Sequence, residues 1–327
     1  MRFNFVTLFF LILTILNYSF AGTQKRETKI DSMSYETGAE WRIYSTTAPV
    51  KGFVLLSSGI WAITDSSLCY INIAATKKSS EPLSYTEFSG IPASDATNIA
   101  LDKTGNLWIG TKSGVVLKTK DSFKVFTTEN GLCNNSVNKI IAVDGGKIYV
   151  ATEAGVSLYE SGKWTTFNSS NGLAGDNVRD CVIGKNGTIW FATNKGISCF
   201  DGTKWTTHNM KNGLSWNDAK ALGYDKKTET IWAAVGDKDM NSYDGKSWKI
   251  YMEVADGISC IMIDTQSRVW IGTSSGIMKF NGEEWISDPN KIGISASTVS
   301  QMIKDEKGNL WFGTEKGVIK LDNPYPF

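Results

Sequence analysis

The sequence predicts an all-β fold: a single seven-bladed propeller of four-stranded antiparallel blades, its ring closed by an N-terminal strand that joins the last blade. Three observations predict it. An aromatic-x-small-Thr signature recurs through the chain, each copy sits among four strand-length runs, and the two ends carry complementary parts of one unit.

The signature reads "WAIT" at Trp61, "WIGT" at Trp108, "YVAT" at Tyr149 and "WFAT" at Trp190, then "WAAV" at Trp232, "WIGT" at Trp270 and "WFGT" at Trp311. These seven copies are spaced by 47, 41, 41, 42, 38 and 41 residues. A period near 41 lies in the range of propeller blades, but helical repeats share that length, so the strand pattern must decide. Runs such as "VRDCVIG", "GTIWFAT" and "GISCF" are broken by "KNG" and "TNKG", and outer runs read "KWTTF", "KWTTH" and "SWKIY". Short runs parted by Gly, Asn and Asp turns make an antiparallel meander. No run holds apolar residues at helical spacing over eleven positions.

Within "NLWIGT", Trp108 and Gly110 face one side while Leu107, Ile109 and Thr111 face the other, because strand side chains alternate. Both faces are largely apolar, as suits a sheet packed between two neighbouring sheets. Gly or Ala two residues after the aromatic leaves room for the next blade. "DKTGN" at 102–106 and "DEKGN" at 305–309 read as hairpin turns opened by Asp. The last unit stops after "GVIKLDNPYPF" without its outer run, and that missing run is found at the other end as "EWRIYST" from Glu40. An N-terminal strand that completes the last sheet removes two exposed edges. The 287 residues from Trp41 to Phe327 then divide into seven units of 41.

Ahead of the ring, residues 1–21 pair a basic start at Arg2 with an apolar run from Phe5 to Leu16, and small residues Ser19 and Ala21 follow. This reads as a signal peptide cut before Gly22, since the run is short of the ~20 residues a spanning helix needs. The expected organisation is therefore signal peptide 1–21, a flexible polar lead-in at 22–39, and the propeller at 40–327. The mature chain is expected to be secreted or periplasmic, with no membrane span. The balance of 34 Lys+Arg against 33 Asp+Glu gives a formal charge of +1 and no basic stripe, so nucleic acid is not an expected partner.

The five cysteines (Cys69, Cys133, Cys181, Cys199 and Cys260) show no CxxC or Cys/His spacing and read as small buried thiols, with a disulfide as the alternative. One histidine, His208, and scattered cysteines do not make a zinc site. "DKDMNSYD" at 237–244 imitates the first ligands of a calcium loop in Asp237, Asp239 and Asn241. It has Ser242 where glycine is needed and Trp248 where a bidentate Glu is needed. No metal or other cofactor is expected.

Loops that enter the blades and loops after each second strand should share one face around the channel, the usual place for a propeller ligand. "NGL" is constant in several entering loops and reads as structural, whereas the letters after it vary. The candidates there are Asn134, Asn135, Asp176, Asn177, Trp216, Asn217 and Asp218. Their amides and carboxylates suit sugar hydroxyls, and Trp216 offers a stacking face. The competing reading makes them solvated turn formers. Charged tips such as Lys112, Glu153, Lys195, Glu315 and Lys316 are expected to be solvated. No nucleophile-base pair, HExxH or phosphate loop occurs, and catalysis would need two channel carboxylates such as Asp176 and Asp218.

Units of the form "GL…V…D…GNLWIGT..GV" resemble the two-component regulator propeller repeat over essentially all of 41–327, most strongly at 97–213 and 258–321. The resemblance implies an extracytoplasmic sensing propeller, a part commonly carried by hybrid histidine kinases linked to polysaccharide use. The sequence shows one propeller with no kinase or membrane helix after it, so recognition by an exported propeller is what carries over. "GTIWFAT" and "GNLWFGT" are also similar to the streptogramin lyase type, a seven-bladed enzyme class relying on a histidine base. Here His208 occupies the outer-strand slot that Phe167 fills one unit earlier, far from an axial pocket. The expected function is non-catalytic recognition of an oligosaccharide or a protein partner at the channel mouth; an enzyme and a surface scaffold are the alternatives.

Overall fold

The turn chemistry written into each unit sets the hairpins. In a computed structural model, which describes residues 30–34, 40–73, 84–287, 294 and 297–322, Asp102 Oδ1 accepts the backbone N–H groups of Thr104 and Asn106, at 2.9 and 3.0 Å. Its other oxygen takes the indole N–H of Trp108 at 2.9 Å. Asp305 does the same for Lys307, Asn309 and Trp311, and Asp264 for Gln266, Arg268 and Trp270. One carboxylate thus closes the turn and also fixes the large aromatic of the second strand.

The other end of the second strand carries a second device. Thr111 Oγ1 donates to the Gly114 carbonyl at 2.8 Å and accepts the Ser113 N–H at 3.0 Å. The same latch is made by Thr64, Thr152, Thr193, Thr273 and Thr314. Blade 5 has Val235 at this position and lacks it.

These hairpins build seven antiparallel blades of four strands each, with a fifth strand added to the last. Their inner strands are Val50–Leu55, Ala96–Leu101, Val137–Val143, Val178–Ile183, Ala219–Asp225, Cys260–Ile263 and Val299–Lys304, in blades 1 to 7. Blade 4 adds Ile189–Thr193, Gly196–Phe200 and Trp205–His208 in outward order. The core lies between blades rather than within one. Trp108, Val115 and Phe126 of blade 2 pack on Val137, Ile140 and Ile148 of blade 3, and equivalent clusters join each neighbouring pair. Each fully covered aromatic contributes about 2–3 kcal/mol. At Gly110 an added Cβ would meet Val137 Cγ1 at 2.5 Å, which is the close approach of blades anticipated from the sequence.

Ring closure follows the expected scheme. Glu40–Ser45 pairs antiparallel with Gly317–Asp322, in a register that sets Trp41 opposite Leu321 and Tyr44 opposite Val318. Tyr44 is buried and stacks on Trp311, with centroids 5.7 Å apart. Residues Ile30–Ser34 pair in turn with the closing strand, Ile30 opposite Tyr44 and Ser34 opposite Glu40, so the last sheet has five strands. The sheet therefore extends into the 22–39 stretch that the sequence suggested as a flexible lead-in. The signal-peptide assignment at 1–21 and the rest of the lead-in, apart from 30–34, lie outside the described residues. Among the described residues no helix is long and apolar enough to cross a membrane.

Candidate functional site

Backbone bonds bring the two sets of loops onto one face. In blades 2 to 5 the residue after the second strand donates to the residue before its own inner strand: Lys112 to Asp95, Glu153 to Ser136, Asn194 to Asn177 and Gly236 to Asp218, at 2.8 to 3.2 Å. At the same level the inner strands carry a register shift after their first residue, as at Val137 and Val178. The side chains that follow the shift turn toward the next blade. Thr97 donates to the Val137 carbonyl at 2.6 Å, Asn138 to Val178 at 2.8 Å and Arg179 to Ala219 at 3.2 Å. Ser259 and Ser300 make the equivalent bonds to Val299 and Val50.

The Asn-Gly-Leu loops are internally stitched, as the constant letters suggested. Leu132, Leu173 and Leu214 are buried. The residue after each leucine donates its N–H to a buried side chain on the third strand: Cys133 to Ser157, Ala174 to Ser198 and Ser215 to Asn241.

This stitching decides what several candidates do. Asn135 Oδ1 accepts the Thr128 N–H at 2.9 Å, Asp176 accepts the Ser169 N–H at 2.6 Å, and Asn217 Oδ1 accepts the Met210 N–H at 2.8 Å. The three are equivalent positions, each three residues after the leucine, and each side-chain oxygen closes its own loop. Asn134 Oδ1 takes the Ser136 N–H at 2.7 Å. Asp218 forms an ion pair with Arg179. Asn177 differs, because its Oδ1 is buried and has no hydrogen-bond partner among the described residues. Trp216 differs too: it remains 53% exposed. Its ring lies over Gly236, where a Cβ would stand 2.6 Å from Cδ1.

The charges around Trp216 had no motif to announce them. Lys220 Nζ lies 2.8 Å from Asp237 Oδ1, and Lys238 reaches Asp256 at 3.4 Å and Glu253 at 3.5 Å. The hydrogen bond from Lys220 holds the Asp237 carboxyl below its usual range. The bond and charge of Asp256, helped by Glu253, raise Lys238. Aligning the units would have found Arg179 and Lys220, since both occupy the second position of an inner strand, where blades 2 and 3 carry Thr97 and Asn138. The calcium-like residues serve three separate ends. Asp237 pairs with Lys220, Asp239 Oδ1 accepts the Glu253 N–H at 3.0 Å, and Asn241 bonds Ser215.

Below the mouth, inner strands leave a cavity of about 380 Å³ lined by Asn98, Lys139, Cys181, Gln301 and apolar neighbours. Lys139 Nζ lies 3.4 Å from Asp180 Oδ1. His208 is elsewhere: it is buried, stacks on Trp190 at 5.1 Å and accepts the Trp248 indole N–H at Nδ1, 3.2 Å away. Burial lowers its pKa, so it is a neutral core acceptor. The five cysteines are free thiols, and burial raises Cys69, Cys199 and Cys260 to about 11.

A family model described as the two-component regulator propeller matches residues 90–113 and 293–316, the stretches that carry the inner strands and tryptophans of blades 2 and 7. The chain carries two-component regulator propeller repeats. No curated protein matches it in sequence. Among solved structures it is similar to the extracellular domain of a hybrid two-component system from B. thetaiotaomicron, with a TM-score of 0.68 and 18% identity over 85% of this chain and 40% of that one. The extracellular domain of a one-component system from the same organism gives 0.65 and 14% over 89% and 45%. The chain thus spans less than half the length of either. A catalytically inactive histidine-to-alanine variant of virginiamycin B lyase from Staphylococcus aureus, solved with quinupristin, gives 0.69 and 13% over 86% and 99%. At such identities the likeness is one of fold.

Proposed function

We propose that this chain is an exported, non-catalytic recognition propeller that binds an oligosaccharide at the channel mouth on the side of blades 4 and 5. The observation that carries the reading is Trp216. A half-exposed indole resting on the Gly236 backbone has lost conformational freedom before any ligand arrives, and its free face suits the apolar side of a sugar ring. The Arg179–Asp218 and Lys220–Asp237 pairs belong to the same loops and the strand ends beside them, and are groups able to exchange hydrogen bonds with hydroxyls. The likeness to extracellular domains of bacterial regulatory systems supports an exported sensor role, as does the apolar N-terminal run.

The test is a glycan array on protein lacking residues 1–21, followed by calorimetry on the best hit. Trp216→Ala is expected to weaken binding about tenfold, equivalent to about 1.4 kcal/mol, at unchanged melting temperature, because the ring is not part of the core. Equal affinity in the variant would reject the site. A protein captured at this face in the absence of any glycan binding would replace the oligosaccharide as ligand.

A further inference from the structure

The inner-strand residues paired opposite Ile63, Gly110, Ala151, Ala192, Ala234, Gly272 and Gly313 form a ring around the channel: Asn98, Lys139, Asp180 and Gln301 are its polar members, with Gly52, Ala221 and Cys260 completing it. Three of the polar members have one oxygen fixed by the backbone of the next blade. The Ile140 N–H donates to Asn98 Oδ1 at 2.8 Å, Leu222 to Asp180 Oδ2 at 2.8 Å and Phe53 to Gln301 Oε1 at 2.7 Å. A backbone N–H can only donate, so it settles which way each amide is turned. The –NH2 groups of Asn98 and Gln301 are then the ends left over, and neither donates a hydrogen bond within the described residues. Asn98 is nine-tenths buried, and both side chains line the 380 Å³ cavity.

Lys139 lines the same cavity. The charge of Asp180 outweighs burial and raises its pKa, so it stays an ammonium through the neutral range. At 3.4 Å its contact with Asp180 is long for a charged hydrogen bond, and an ammonium has three donors. Asp180 is shared further, because its Oδ1 also accepts the Cys181 N–H at 2.9 Å. The ring therefore offers an excess of donors, one of them cationic. The adjoining wall is apolar, with Ala100, Ile141 and Val182.

We propose that the channel holds a binding site, separate from the mouth, for a short aliphatic carboxylate, with Lys139, Asn98 and Gln301 as donors to its oxygens. The donor ring faces the carboxylate and the Ala100–Ile141–Val182 wall covers the alkyl part. A neutral amide of the same shape keeps one acceptor oxygen but sets its –NH2 against donors and lacks the charge that Lys139 meets, so it is held more weakly.

Ligand-observed NMR with butyrate, and with butyramide as the uncharged match, tests this on the full mature chain. Saturable butyrate binding is expected, with butyramide at least tenfold weaker. Gln301→Glu and Asn98→Asp keep the oxygen that accepts the Phe53 or Ile140 N–H and replace only the free donor by a carboxylate. Each is expected to weaken butyrate at least tenfold at an unchanged melting temperature. Absent butyrate saturation, equal binding of butyramide, or butyrate binding unmoved in both folded variants would each overturn the proposal. The butyrate–butyramide comparison needs no variant, so it decides even if a substitution disturbs folding.

Discussion

Single residues in this protein do two jobs at once, and Asp305 shows how. Burial alone would raise its pKa, but bonds from the Trp311 indole, Asn309 and Lys307 outweigh burial and hold the carboxyl below its ordinary value. A depressed folded pKa means that the stabilisation is complete above the unfolded value of about 3.9 and is lost as pH falls through the folded one. Melting temperature should therefore decline as the solution is acidified below about pH 4. Asp305→Asn should flatten that acid limb and lower stability at pH 7 by about 1 kcal/mol; superimposable acid limbs for the two proteins would count against the account. The sequence showed the Asp as a turn opener, but the indole bond six residues away needed the twist of the hairpin to be seen. The candidate loop residues were harder to read for a related reason. Asn135, Asp176 and Asn217 vary in letter, which looks like specificity, yet all three supply an oxygen at one fixed distance after the leucine, and each closes its loop. Trp216 stood out as an apolar residue among turn formers, and it is exposed, whereas Arg179 and Lys220 become visible only when the inner strands are aligned by their register shift.

At the scale of the element, the second hairpin of every blade but the fifth is governed by the threonine latch. Thr193 is fully buried, donates to the Gly196 carbonyl at 2.7 Å and accepts the Lys195 N–H at 3.1 Å. Thr193→Val keeps the shape and removes both bonds, at an expected cost of about 1–3 kcal/mol in urea unfolding; a loss under about 0.5 kcal/mol would mean that water replaces the hydroxyl. Gly317, in the hairpin that meets the closing strand, has φ +126°, and a Cβ there would sit 2.3 Å from the Tyr44 carbonyl oxygen. Gly317→Ala should cost more than the latch, about 2–4 kcal/mol, since backbone must move. Both devices sit inside the "T-x-x-G" spacing. The strand pattern was therefore legible from the sequence, and the chemical reason for the threonine was not.

For the whole molecule, the seven-unit division and the ring closure were readable because a repeat exposes its own missing piece: an outer strand absent at one end and present at the other. Pairing of Ile30–Ser34 onto that strand was not, since five polar or mixed residues carry no alternation worth reading. Removing residues 1–45 takes away the partner of Gly317–Asp322 and the stacking of Tyr44 on Trp311, and should give a protein that melts at least 10 °C lower or over a visibly broader range. Removing only 1–39 should leave a single sharp transition, and a similar loss from both truncations would show that the added fifth strand, not the closing one, secures the ring. Blade 5 stands apart in this assembly, because Val235 replaces the latching threonine just where Trp216 leans on Gly236. A hairpin relieved of that constraint can lengthen or change letters without disturbing its neighbours. Among close relatives, insertions and altered specificity should therefore accumulate at 236–238 before they accumulate at the corresponding tips of the other six blades.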